Sequence, residues 1–218
     1  MNESIFLLHV LVVLGFVLAS LRLGKGALIA LISLQGVLAN LFVVKQMFFL
    51  GFSVTCSDVF AIGGILSLNL LQEYYGKEAA KQAVNISLLT LLFFAFMSQI
   101  HLLYAPTVSD TTHGAFQTIF SQSVRIVFSS IGTFYLIQQF DVRFFGLLKG
   151  ALPVRVALSL LSSQLLDTIL FSFFGLYGLV ESLFDIILVS FLIKCLIIAL
   201  SSPFVAFSKR FVRGDVSV

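Results

Sequence analysis

Charge is scarce in this chain. Of its 218 residues only 11% are Asp, Glu, Lys or Arg, about half the fraction found in soluble domains, so water is not its main solvent. Cysteine is almost missing too: Cys56 and Cys195 stand alone, without C-x-x-C spacing, which excludes a disulfide scaffold. The histidines His9, His101 and His113 are too widely separated for a zinc site, and no metal or cofactor is expected. Neither H-E-x-x-H nor G-x-S-x-G occurs, which argues against an intramembrane hydrolase. The phosphate loop G-x-x-x-x-G-K-[ST] is also absent, so any use of ATP would need a partner protein.

Long apolar runs are what the chain has instead. Hydrophobic residues make up 59% of it and its mean hydropathy is +1.10. Runs bounded by polar breaks fall at about 4–21, 26–49, 57–75, 82–104, 116–140, 155–178 and 184–207. Each can cross a bilayer as a helix of roughly 20 residues. They are continuous rather than alternating, which argues against spanning strands. The expectation is an all-α polytopic membrane protein with seven transmembrane helices, a single membrane domain over residues 1–218 with no soluble domain. The first run follows Glu3 rather than a basic segment, which reads as a retained helix and not a cleaved signal.

The cations test that count. With seven spans, Arg22, Lys25, Lys77, Lys81, Arg143, Lys149, Arg155, Lys209, Arg210 and Arg213 all fall on one side, and only Lys45 on the other. By the positive-inside rule the N-terminus is outside and the C-terminus cytoplasmic. This placement also explains the net charge of +3 and excludes nucleic acid as a partner. Spans two to four and five to seven would then run in opposite senses, an inverted triplet repeat. The connection 45–57 (KQMFFLGFSVTCS) is apolar for a loop and contains Gly51; it is expected to dip inward as a re-entrant or hairpin segment.

Polar groups at bilayer depth each cost on the order of 2.5–3.5 kcal/mol on insertion scales, so each needs a reason. They fall on coherent faces: Gln35 and Asn40 on the second span; Asn69, Gln72 and Glu73 on the third; Gln122, Arg125, Ser129 and Thr133 on the fifth. Ser159, Ser163, Gln164, Asp167 and Thr168 share a face of the sixth, and Ser190, Lys194 and Ser201 one of the seventh. Asp167 and Lys194 sit near the middles of consecutive spans, as a structural ion pair, a substrate or proton site, or both. Arg125 and Glu73 lie near opposite membrane boundaries, where snorkelling or capping could satisfy them. Most of the 25 phenylalanines are apolar mass, although Phe128 or Phe171 could stack on a flat ligand.

Five segments in order carry a resemblance: ANLFVVKQ (39–46), NLLQEYYGKEAAKQAV (69–84), RIVFSSIGTFYLIQQFDV (125–142), SSQLLDTILF (162–171) and IKCLIIALSSPF (193–204). Over about 35–210 the chain resembles the queuosine precursor transporters, also called the vitamin uptake transporter family. The resemblance places Asn40, Glu73, Arg125, Asp141, Gln164, Asp167 and Lys194 among the family's characteristic polar positions. Where the family usually reads Thr-Asp, this chain has Leu68 and Asn69, so one carboxylate is missing.

The resemblance implies import of a purine-like small molecule, queuine or a related 7-deazaguanine base, for tRNA modification. Asp167 and Gln164 would then bind the base, Asn40 and Glu73 would shape or gate the site, with Asn69 beside them, and Lys194 and Arg125 would balance charge. A second reading is the substrate-binding subunit of an energy-coupling-factor importer, and the chain's size is compatible with a homodimer.

Overall fold

The computed structural model describes residues 1–121, 124–178 and 183–212; Gln122 and Arg213 fall outside it. Long helices dominate: α1 (Asn2–Leu23), α2 (Lys25–Phe42), α3 (Asp58–Tyr75) and α4 (Lys77–Leu102), then a short α5 (His113–Phe120), α6 (Val124–Phe145), α7 (Leu152–Phe171) and α8 (Leu183–Phe207). The protein is an all-α membrane protein. Of the described helices α1, α2, α4, α7 and α8 are long and apolar enough to cross a membrane. α3 and α6 fall short because polar residues interrupt their apolar sequence: Asn69, Gln72 and Glu73 on one, Gln138, Asp141 and Arg143 on the other.

Single residues, Gly24 and Gly76, link α1 to α2 and α3 to α4. Both hold positive φ (105° and 86°), a conformation that suits glycine and reverses the chain at once. Pro153 stands in the first turn of α7, where its missing N–H costs nothing.

α3 is the axis of the bundle. It packs on α1, α2 and α4 and also meets α6, α7 and α8. Every residue from Ile62 through Gln72 is buried. Close approach depends on Gly63, where a Cβ would collide with the Gln35 carboxamide of α2 and stand 2.7 Å from Val13 Cγ1 of α1. One apolar cluster joins α1, α3, α7 and α8 along the bundle; a second joins α1, α2, α3 and α4.

The apolar connection after α2 is a two-stranded antiparallel hairpin, β1 (Gln46–Phe49) and β2 (Phe52–Thr55), with Phe49 opposite Phe52. Of the two forms expected for this connection it takes the hairpin, closed where Leu50 and Gly51 both have positive φ (50° and 87°), the geometry of a tight primed turn. The hairpin tucks Phe49 and Val54 inward while Phe48, Leu50 and Phe52 remain exposed. Phe6 packs on Phe49 with centroids 4.5 Å apart, and Asn2 Nδ2 donates to the Phe48 carbonyl at 2.8 Å. The start of α1 is thereby fastened to the hairpin end.

Candidate functional site

At the hairpin end the helices enclose a cavity of about 200 Å³, room for roughly six waters at about 30 Å³ each, or for one small flat molecule. α2 contributes Asn40, the hairpin Thr55, α6 Ser130, Thr133 and Phe134, α7 Asp167, Thr168 and Phe171, and α8 Ser190 and Lys194. Ser57 and Asp58 close it at the start of α3.

Lys194 is the electrostatic centre. The residue is 3% exposed, and its ammonium donates to Asp167 Oδ2 at 2.8 Å and to Thr168 Oγ1 at 3.0 Å. Asp58 Oδ1 stands 3.8 Å from the same nitrogen. Asp167 keeps more exposure on the cavity side than its partners do. Two carboxylates thus converge on one ammonium inside an apolar bundle, where such groups persist only when paired. Nearby, Ser130 Oγ donates to Asn40 Oδ1 at 2.6 Å while Asn40 Nδ2 donates to the Gly36 carbonyl at 3.0 Å. The amide is oriented by partners on both sides. The end of α7 continues as a π-helical turn, Ser172–Leu176, a local widening common beside functional sites.

Deeper in the bundle lies a second buried polar group. Asp141 on α6 is fully buried and accepts Ser159 Oγ at 2.6 Å and Ser163 Oγ at 2.8 Å on one oxygen. Its other oxygen has no partner among the described residues. Gln72 Nε2 donates to the Val142 carbonyl at 3.0 Å, which places α3 beside it.

The positions singled out from sequence divide clearly. Asp167, Lys194 and Asn40 meet at the cavity, and Phe171 lines it. Gln164 is buried one turn deeper on α7, its Oε1 without a partner among the described residues, and is not on the cavity wall. Asn69 is fully buried within α3, and neither amide atom has a partner among the described residues. Glu73 pairs with Arg155 at 2.8 Å, at the end of the bundle where Tyr74 also hydrogen-bonds Ser208. Arg125 Nε donates to the Phe174 carbonyl at 2.7 Å, satisfying the end of α7 rather than lining the cavity. Phe128 belongs to a separate apolar cavity between α2, α4, α5 and α6. Asp58 was missed because an acidic residue opening a helix is ordinary N-terminal chemistry; the available signal was its place directly after an apolar connection.

Residues 55–208 match the family described as "Putative vitamin uptake transporter". A curated protein of Bacillus subtilis (strain 168), described as "Probable queuosine precursor transporter", is 30% identical over 96% of this chain and 93% of its own length. No solved structure matches.

Proposed function

Because the chain belongs to the vitamin uptake transporter family, we propose that this membrane transporter imports a queuosine precursor, queuine or a related 7-deazaguanine base, and that the cavity around Lys194 is its binding site. The relative's description supports the cargo. The observation that carries the site is the buried meeting of Asp58, Asp167 and Lys194 on a wall that also holds two phenylalanines. A guanine-like edge presents adjacent N–H donors, which a carboxylate accepts in charge-assisted bonds. Asn40, held by Ser130, or the Lys194 ammonium answers its carbonyl. Phe134 and Phe171 offer faces to the flat ring.

In this reading all seven long helices span. α3 is buried along most of its length and α6 turns Gln138 and Asp141 inward, so both tolerate their polar residues. The hairpin end is outside, with the N-terminus, and the opposite end is cytoplasmic: Arg22 and Arg210 line one cleft there, and Arg155 pairs with Glu73, as the positive-inside rule requires. The two triplets α2–α4 and α6–α8 run in opposite senses, and rocking of one against the other would carry the cavity from outward to inward access.

Purified protein in liposomes, supplied with labelled queuine, tests this. Uptake without any partner protein is expected, and Asp167→Asn is expected to abolish it while still inserting. No uptake of any 7-deazaguanine base, or normal uptake by Asp167→Asn, would overturn the assignment.

A further inference from the structure

Two arginines at the end opposite the hairpin have no acid to pair with. Glu73 is held by Arg155 at 2.8 Å and Glu78 by Lys81 at 2.7 Å, and among the described residues neither Arg22 nor Arg210 has a carboxylate partner. Both line a cleft of about 490 Å³ between α1 and the end of α8, walled by Leu18, Phe204, Phe207 and Phe211. The walls run in order of polarity. Leu18 precedes Arg22 by one helical turn, and Phe207 and Phe204 precede Arg210 by about one turn and two. The cations therefore stand at the boundary and the apolar side chains on the bilayer side. Phe207 is 52% exposed, and the Arg210 guanidinium carbon lies 5.3 Å from the centre of its ring, a placement that steadies the cation without using its N–H groups. Arg210 belongs to a single turn of 3-10 helix, Ser208–Phe211, and buried Ser208 shares a hydrogen bond of 2.8 Å with the Tyr74 hydroxyl, so the turn is anchored on α3.

We infer that this cleft binds an anionic phospholipid, its phosphate between Arg22 and Arg210 and its first acyl carbons along Leu18, Phe204 and Phe207. Guanidinium groups match phosphate oxygens in charge and in fork geometry, and basic pockets between membrane helices are sites of this kind. The order of the walls selects a lipid over a free anion. A free phosphate meets the charge but loses hydration against phenyl rings, whereas a phospholipid brings hydrocarbon to them. A zwitterionic headgroup sets its own ammonium beside the two arginines, like charge against like charge. The bound lipid joins α1 to the end of α8, two elements that also touch directly, and so clamps the first helix to the last. Neither arginine lines the cavity around Lys194, so the lipid site stands apart from the cargo.

The test incubates the protein, purified in detergent, with labelled dioleoylphosphatidylglycerol or dioleoylphosphatidylcholine and counts the lipid retained per protein after gel filtration. Phosphatidylglycerol is expected to be retained about tenfold or more over phosphatidylcholine, since each arginine near a membrane surface contributes about fivefold. Arg22→Gln combined with Arg210→Gln is expected to bring that ratio toward one. Lys149→Gln, at the same end but outside the cleft, is expected to leave it unchanged. If the double variant does not insert, Arg210→Gln alone decides, with an expected loss of about fivefold. Equal retention of the two lipids by the unaltered protein, or a preference that survives loss of the arginines, overturns the inference. An equal fall in Lys149→Gln assigns the preference to diffuse surface charge and overturns it too. Displacement of the labelled lipid by excess inorganic phosphate, as complete as by unlabelled phosphatidylglycerol, makes this a site for the free anion and not for a lipid. Because no arm uses the cargo, failure here leaves the transport reading standing, and the converse holds.

Discussion

Lys194 holds two carboxylates at the cavity, at 2.8 Å and 3.8 Å, and its removal leaves both without a counter-charge. Breaking a buried ion set by deleting one member costs about 3–5 kcal/mol, whereas neutralising partners together costs far less. Lys194→Gln is therefore expected to lower Tm in detergent by several degrees, and addition of Asp167→Asn to recover part of that loss; a purely additive double variant would contradict the coupling. At this scale the sequence disclosed much. Asp167 and Lys194 were visible as ions inside apolar runs on consecutive spans, where neighbours meet. Asp58 was not, since its partner lies on a helix far along the chain and its own position opens a helix. Glu73 and Arg125 were visible as polar groups near the membrane boundaries that needed satisfying, but only the packing shows Arg155 beside one and the Phe174 carbonyl beside the other.

The hairpin is the element that most departs from an unbroken helical reading, and it forms part of the cavity wall through Val54 and Thr55. Its turn puts Leu50 at φ 50°, a left-handed conformation costing roughly 1–2 kcal/mol for a residue with a bulky side chain and less for asparagine or glycine. Leu50→Asn is expected to raise Tm slightly, by an amount worth under about 1 kcal/mol. Gly51→Val, at φ 87°, is expected to lower both Tm and uptake, since the turn would distort the strand that carries Thr55. Uptake unaffected by Gly51→Val would show that the hairpin does not shape the site. In the sequence this segment showed as an unusually apolar connection with a glycine, enough to expect a re-entrant or hairpin segment but not to choose between them. Leu-Gly is a weak turn signal beside Asn-Gly, and strand pairing needs both arms to find each other.

Over the whole molecule, the cations gather at the end opposite the hairpin, which orients the protein in the proposed reading. In a background of Cys56→Ser and Cys195→Ser, a membrane-impermeant maleimide is expected to label Val108→Cys on intact cells. Lys149→Cys is expected to react only after permeabilisation. The reverse pattern would invert the topology, and labelling of both on intact cells would break the seven-span count.

Membrane residence, helical runs and the sorting of Lys and Arg into alternate connections were determined by the sequence alone, because each follows from transfer free energies that add residue by residue. The same additive reasoning identified which side chains needed a partner. Only the tertiary structure decided which partner each obtained. Asp58 reaches Lys194 because α3 packs against α8 across more than a hundred residues of chain, a pairing set by which faces meet and not by any property of the residues taken singly.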